Sequence, residues 1–308
     1  MTLQQLQYIT VLADYGQFVE AAEACGVSQS TLSLMVKRLE TELDVTIFDR
    51  NSHPITPTET GKKIIRKARI IPYNCRQLNE MPKEEKAQMS GSLKMAMIST
   101  VAPVLLPGMF KYFSEKCPNI KLEEAEMPTD TIKDKLRKAE IDMGVVVSPV
   151  NDPDFLEIPL YNEEFLAYVS PNCDAYGLDS IERSKLFDYP LWIMTDTVHL
   201  ADRRKLKGNE DFAYEKFYEG GRAGTMIQIV NECGGMTVVP DSHLSLIMYS
   251  LYKHLRPIIN PVPRRTISLI IRNDFIHEAI LNAVIDAVRS IIPENKHESL
   301  MKHGPLTL

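Results

Sequence analysis

Residues 21–33 read Ala21-Ala22-Glu23-Ala24-Cys25-Gly26-Val27-Ser28-Gln29-Ser30-Thr31-Leu32-Ser33. The alanine-rich half predicts a slim helix, starting near Phe18, that a neighbour can approach closely. Gly26-Val27 makes a tight turn, because glycine takes left-handed backbone without steric cost. Ser28 then caps a second helix, its hydroxyl accepting from a free N–H of the first turn. In that helix Leu32, Met35, Val36, Leu39 and Leu43 recur at three- and four-residue spacing and share one face. This order of elements predicts a helix-turn-helix. With the apolar face buried, the opposite side offers Gln29, Ser30, Ser33 and Lys37, with Ser28 and Thr31 at the helix start. A recognition helix meets base edges in the major groove through such positions. Gln29 can read adenine with two hydrogen bonds, and Ser28, Ser30, Thr31 and Ser33 suit bases or phosphates. Lys37 and Arg50 are placed to neutralise phosphate, which makes binding salt-dependent. The bland alternative is an ordinary helical hairpin with a solvated polar face, and this stretch alone leaves both open.

Working outward, Leu6, Ile9, Val11 and Leu12 form an earlier helical stripe that closes near Gly16. Downstream, Val45–Phe48 is β-prone, Arg50–Pro54 is a polar turn, and Ile55–Thr58 reads as the second strand of a small wing. Thr58–Gly61 opens a helix rich in Lys and Arg through Arg76, with Ile64, Ile65, Ala68 and Ile71 as its apolar members. Pro72 should kink or interrupt it, since proline has no N–H and crowds the preceding turn. Met81–Gly91 reads as a linker.

From Ser92 the pattern alternates. Strands are expected at Leu93–Ile98, Ile120–Glu126, Met143–Val147, Phe165–Val169, Leu191–Met194, Met236–Val239 and Ile267–Ile271. Helices are expected over Pro107–Cys117 and Thr131–Lys138, near Thr225, and at the end from Phe275 to Ile292. Such alternation predicts α/β units on a largely parallel sheet.

The chain has 308 residues, 44% hydrophobic and 25% charged, with a formal net charge of -6. That length suits about two to three folding units. The acidic balance argues against a protein that coats nucleic acid along its whole length, while leaving room for a local basic surface. No apolar run reaches the ~18 residues of a membrane span. Met1–Tyr8 lacks a basic and apolar leader pattern, so a cytoplasmic location is expected. Cys25, Cys75, Cys117, Cys173 and Cys233 are scattered without a CxxC pair, which disfavours a zinc site or a disulfide framework. No cofactor and no metal are expected. Nor is there a nucleophile–base pair or phosphate loop, so an enzyme is disfavoured, as is a transport-type binding protein.

Ala21–Glu40, Leu43-Asp44-Val45, Ile47-Phe48-Asp49-Arg50 and Thr56-Pro57-Thr58-Glu59-Thr60-Gly61 together resemble the N-terminal signature of LysR-type transcriptional regulators. Ser30 departs from it, standing where proline is usual. The resemblance implies a winged helix-turn-helix over 1–58 and a linker and dimerisation helix over 59–90. It further implies a two-lobed, periplasmic-binding-protein-like α/β effector domain over 91–308, with lobes near 92–161 plus 267–308 and 162–266. Implied partners are pseudo-palindromic double-stranded DNA, further copies of the chain in a dimer or tetramer, RNA polymerase, and a small-molecule effector.

Within that family the likeness is greatest to the hydrogen-peroxide-responsive activators. It rests on Ser90–Leu93, Ser99-Thr100-Val101 with Leu105-Leu106-Pro107, Gly235–Pro240 and Pro263–Ile267. Where those activators carry a reactive cysteine this chain has His199, and Arg203–Gly208 holds no second sulfur. A thiol–disulfide switch needs both, so that chemistry is not carried over; Cys173 with Cys233 is the remaining redox alternative. For a bound effector, Ser99 and Thr100 between a strand and a helix suit an anion. Thr129 in the loop after Ile120–Glu126, Thr225 near a helix start, and His199, which titrates near neutral pH, complete the set. N-caps and a surface histidine are the bland alternatives.

Overall fold

The computed structural model describes residues 1–84, 91–194, 217–218 and 222–298. They form two compact units, the first holding the N-terminal helices together with residues 133–141.

In the first unit, helix α1 (Leu3–Tyr15) is opened by a capping box: Thr2 accepts from the Gln5 N–H while Gln5 accepts from that of Thr2. Helix α2 (Phe18–Ala24) ends in a Schellman turn. The N–H groups of Gly26 and Val27 bond back to the carbonyls of Glu23 and Ala22, both at 3.0 Å. Gly26 sits at φ +65, a conformation that side chains resist, which is why this turn has glycine. Helix α3 (Gln29–Leu43) is capped by Ser28, which accepts from the Thr31 N–H at 3.2 Å. Leu32, Val36 and Leu39 are fully buried with Ile9, Leu12, Ala21, Phe48 and Ile65 in one core.

The wing is smaller than the β-prone stretch suggests. Strand β1 is only Phe48–Asp49, paired antiparallel with β2 (Thr56–Pro57). Val45 to Ile47 lie outside it, with the Val45 N–H bonded to the Glu40 carbonyl at 3.0 Å and the Ile47 N–H to the Glu40 carboxylate at 2.8 Å. Helix α4 (Glu59–Glu84) runs through Pro72 and past Met81. The expected interruption at Pro72 is thus absent, and the linker reading of Met81–Gly91 gives way to helix at its start. A proline removes one backbone hydrogen bond per site, and here the remaining ladder on either side carries the helix across.

The second unit is built on a sheet of order β4-β3-β5-β12-β6-β10-β8-β9. Strands β3 (Gly91–Met97), β4 (Ile120–Glu126) and β5 (Met143–Val147) are parallel to one another; β12 (Arg264–Arg272) joins them antiparallel. Helix α5 (Ala102–Lys116) follows β3, α6 (Thr129–Arg137, grouped from residue 133 with the first unit) follows β4, and the closing helix α8 (Glu278–Ile291) approaches α5 so closely that a Cβ on Gly108 would meet Ile291 at 2.4 Å. Thr129 therefore opens a helix instead of lying in a loop.

Strand β6 (Phe155–Val169) organises the rest. Its first part, through Glu164, pairs with β12, and Phe165–Val169 pairs with β10 (Met236–Pro240). Only the second part was expected as strand, since Pro159 and the charges at Glu163 and Glu164 break the apolar run. A register shift opposite Ile267 and Ser268 accommodates Pro159. β6 thus passes from one half-sheet, the first lobe, into a second. That second lobe also contains β7 (Ile181–Glu182), β8 (Leu191–Met194), β9 (Phe217–Tyr218), helix α7 (Ala223–Cys233) and β11 (Leu255–Ile259). The chain returns from β11 to β12 through residues 260–263.

Candidate nucleic-acid interface and interlobe cluster

At the start of α3 the side chains of Ser28, Gln29, Ser30 and Thr31 are all exposed. The Ser28 hydroxyl lies 3.0 Å from that of Ser30 and 2.8 Å from that of Thr31, so the three form one small hydroxyl cluster beside Gln29. Ser33 is half-buried and Lys37 exposed, one and two turns further on. The structure thus brings all six α3 candidates onto one helix whose other face is fully buried.

Arg50 is placed differently from a free phosphate clamp. Its Nη2 is 2.9 Å from Glu40 Oε2, and its guanidinium lies 5.8 Å from the Phe18 ring centroid. Glu40 Oε1 accepts the N–H groups of Ile47 at 2.8 Å and Phe48 at 3.2 Å. Glu40 is therefore a wing-positioning residue, one that spacing along the chain does not reveal because its partners lie 7–10 residues on. Thr58 secures the other side: it accepts from the Gly61 N–H at 2.9 Å and donates to the Thr46 carbonyl at 2.7 Å.

In the second unit the expected effector residues separate. Thr100 is fully buried, and its hydroxyl accepts from Arg265 Nη2 at 3.2 Å. Its carbonyl is 2.6 Å from His243 Nε2, and because a carbonyl only accepts, that nitrogen carries the proton. Arg265 Nε is 2.6 Å from Glu163 Oε2 in a pair whose side chains are almost wholly out of water. The other Glu163 oxygen accepts from the Ser242 hydroxyl. The Arg265 guanidinium stacks 5.2 Å from the Phe165 centroid. Burial lowers the pKa of His243 and raises that of Tyr161 well above its usual value, each disfavouring the charged form.

Ser99 is half-buried beside this cluster in the chain, Thr129 is half-buried at the start of α6, and Thr225 is exposed in the first turn of α7. Among the described residues no hydrogen bond joins Thr129 or Thr225 to Thr100. His199 lies outside the described residues. Glu163, Arg265, Ser242 and His243 join this cluster without any sequence motif that marks them as members of a site. The available signal is only that both strands carry charges, Glu163-Glu164 on β6 and Arg264-Arg265 on β12, and nothing local singles out Glu163 and Arg265.

A capped helix-turn-helix with an exposed polar first turn, a wing, and a separate two-lobed α/β unit define a DNA-binding transcriptional regulator with an effector-binding domain. Residues 3–62 match the family described as bacterial regulatory helix-turn-helix protein, lysR family, and residues 86–291 match the LysR substrate binding domain. The chain belongs to the LysR family.

It is 26% identical over 306 residues to the hydrogen peroxide-inducible genes activator of Haemophilus influenzae, covering 95% of this chain and 99% of that one. It is 27% identical over 279 residues to the DNA-binding transcriptional dual regulator OxyR of Escherichia coli K12, covering 88% of this chain and 90% of the relative. Among solved structures, a full-length cysteine-to-aspartate variant of OxyR from Pseudomonas aeruginosa superposes with a TM-score of 0.75 at 28% identity, over 97% of this chain and 98% of that one. A full-length BenM variant shares the fold, with a TM-score of 0.56 at 21% identity, over 97% of this chain and 99% of that one.

Proposed function

We propose that α3 reads a pseudo-palindromic operator. Gln29 contacts a base, Ser28, Ser30, Thr31 and Ser33 contact bases or nearby phosphates, and Lys37 and Arg50 face the backbone. The observation that carries this reading is the split of α3 between a fully buried Leu32-Val36-Leu39 face and an exposed polar start. In this reading α4 pairs two chains, pairs of chains form a tetramer, and DNA-bound protein contacts RNA polymerase in the cytoplasm without catalysing a reaction. The domain limits are 1–58, 59–90 and 91–308, with lobes 92–161 plus 267–308 and 162–266. Enrichment from a random duplex library by the full-length chain tests the core of it. Recovery of an inverted repeat with half-sites about one helical turn apart is expected; an unenriched pool sinks it.

The signal reading is a small effector held near Ser99, Thr100, Thr129 and Thr225, with His199 as a further contact. Arg265 and His243 already occupy the hydroxyl and carbonyl of Thr100. A ligand there acts by exchanging those contacts for its own, a differential interaction of the kind a switch requires.

A second reading, a cysteine-based redox sensor, is supported by the peroxide-inducible relatives as well as the first is, but no better. Cys173 is buried and Cys233 exposed. Operator footprints that shift with peroxide in the wild type, and no longer in Cys173→Ser or Cys233→Ser, would establish it. The effector reading expects no shift.

A further inference from the structure

Of the three residues after β10, Asp241 and His243 reach from the second lobe to the first, and Ser242 reaches β6 at Glu163, where that strand crosses between the lobes. Asp241 Oδ2 lies 2.7 Å from Lys296 Nζ, on the segment that leaves α8, and its Oδ1 accepts the Glu164 N–H at 3.3 Å. Ser242 donates to Glu163. His243 donates to the Thr100 carbonyl. The segment carrying Lys296 is itself tied to β6 just before the crossing. Glu298 N–H bonds the Leu160 carbonyl at 2.9 Å, its side chain accepts from Asn162, and His297 bridges Tyr161. The contacts cluster where β6 exchanges β12 for β10, the point about which the lobes would turn.

We propose that Asp241-Ser242-His243 is a latch between the lobes, closed by the Lys296–Glu298 strap, and that signalling opens it. A rotation of the second lobe breaks the Asp241–Lys296 and His243–Thr100 contacts together and strains the Ser242–Glu163 contact at the crossing, because the residues are consecutive on one short turn. The buried Glu163–Arg265 pair couples the latch to the Thr100 region: Glu163 binds Ser242 with one oxygen and Arg265 with the other, and Arg265 holds the Thr100 hydroxyl. Whatever displaces Arg265 from Thr100 therefore also perturbs the acceptor of Ser242. This coupling rests on the regulator reading above, whereas the latch itself does not.

Hydrogen exchange on the full-length chain without DNA tests the latch through Lys296→Met and Ser242→Ala, which act at separate contacts. Each should speed exchange at the Glu164 and Glu298 amides by about 3- to 10-fold, with interior β5 and β12 amides unchanged. Unchanged Glu164 and Glu298 amides, an effect from only one variant, or equal acceleration throughout the sheet would overturn the latch. The coupling is read from the operator footprint of the same proteins. A footprint altered in both variants supports it, and faster exchange with an unaltered footprint overturns it. Failure of wild-type protein to bind any operator would instead count against the regulator reading, and shows before the variants are compared.

Discussion

Glu40, on the buried edge of α3, holds Arg50 of the wing at 2.9 Å while its other oxygen takes the N–H groups of Ile47 and Phe48. One carboxylate thus fixes the wing relative to α3. Removing it in Glu40→Ala leaves two donors without their acceptor and frees Arg50, so the N-terminal unit should lose about 1–3 kcal/mol. Glu40→Gln keeps an acceptor and loses only the charge pairing, a change of about 0.2–1 kcal/mol. Chemical denaturation of the two variants checks the order. Equal losses would mean that the two backbone bonds contribute nothing beyond the ion pair.

Base reading and phosphate contact separate by salt. Gln29→Ala should lose ~1–3 kcal/mol of discrimination at one operator position and little affinity for random DNA. Lys37→Ala should weaken all sequences alike and reduce the salt slope by about 1. Arg50→Ala should do more than Lys37→Ala, because it also removes a wing contact. Fluorescence anisotropy across a salt series with cognate and scrambled duplexes distinguishes them. An unchanged base preference in Gln29→Ala would place another residue at the base edge.

The features legible in the sequence are those made by neighbours along the chain. Gly26, Ser28 and the Leu32-Val36-Leu39 stripe act within one or two turns, so residue type and spacing suffice to place them. Glu163 and Arg265 lie on strands 102 residues apart, and nothing in either strand names the other as its partner. The same applies to Asp241 and Lys296. Strand β11 has no clear local pattern because Arg256 and Pro257 interrupt it, yet it pairs with β6 through Leu255–Pro257 and with β7 through Ile258–Ile259. The local rule at Pro72 counts its missing N–H and predicts a kink or an interruption, whereas α4 is continuous from Glu59 to Glu84.

Gly61 lies where α4 begins against the wing, and a Cβ there would sit 2.0 Å from the Ile47 carbonyl oxygen. Alanine normally favours a helix over glycine by about 1 kcal/mol. Here the clash is with backbone that cannot swing aside, and overpacking of this kind costs ~1–3 kcal/mol. Gly61→Ala should therefore melt lower than wild type despite its better helix propensity. A higher melting temperature would mean that the wing yields to the new methyl group.

The Glu163–Arg265 pair makes an asymmetric prediction. Arg265→Met leaves a carboxylate buried without its cation, which should cost about 3–5 kcal/mol. Replacing both, as Glu163→Leu with Arg265→Met, removes both charges and should cost far less than the two single changes summed. Thermal denaturation of the four proteins closes the cycle. Additive losses would show that the pair is not the dominant interaction of either residue.

Glu124 on β4 contributes a pH dependence to stability. Burial first, then the Glu126 carboxylate, raises its pKa to about 7, against an opposing hydrogen bond from the Met97 backbone. An acid whose folded pKa exceeds its unfolded value near 4.5 is protonated more readily in the native state. Its contribution to stability is therefore full below pH 4.5 and is lost as pH rises through about 7. Glu124→Gln keeps the neutral shape at every pH. It should match wild type near pH 4.5 and exceed it at pH 8 by about 1 kcal/mol after discounting for the half-exposed site, or ~2–4 °C in melting temperature. Parallel melting curves at both pH values would place the ionisation of Glu124 at its ordinary value and assign the pH response elsewhere.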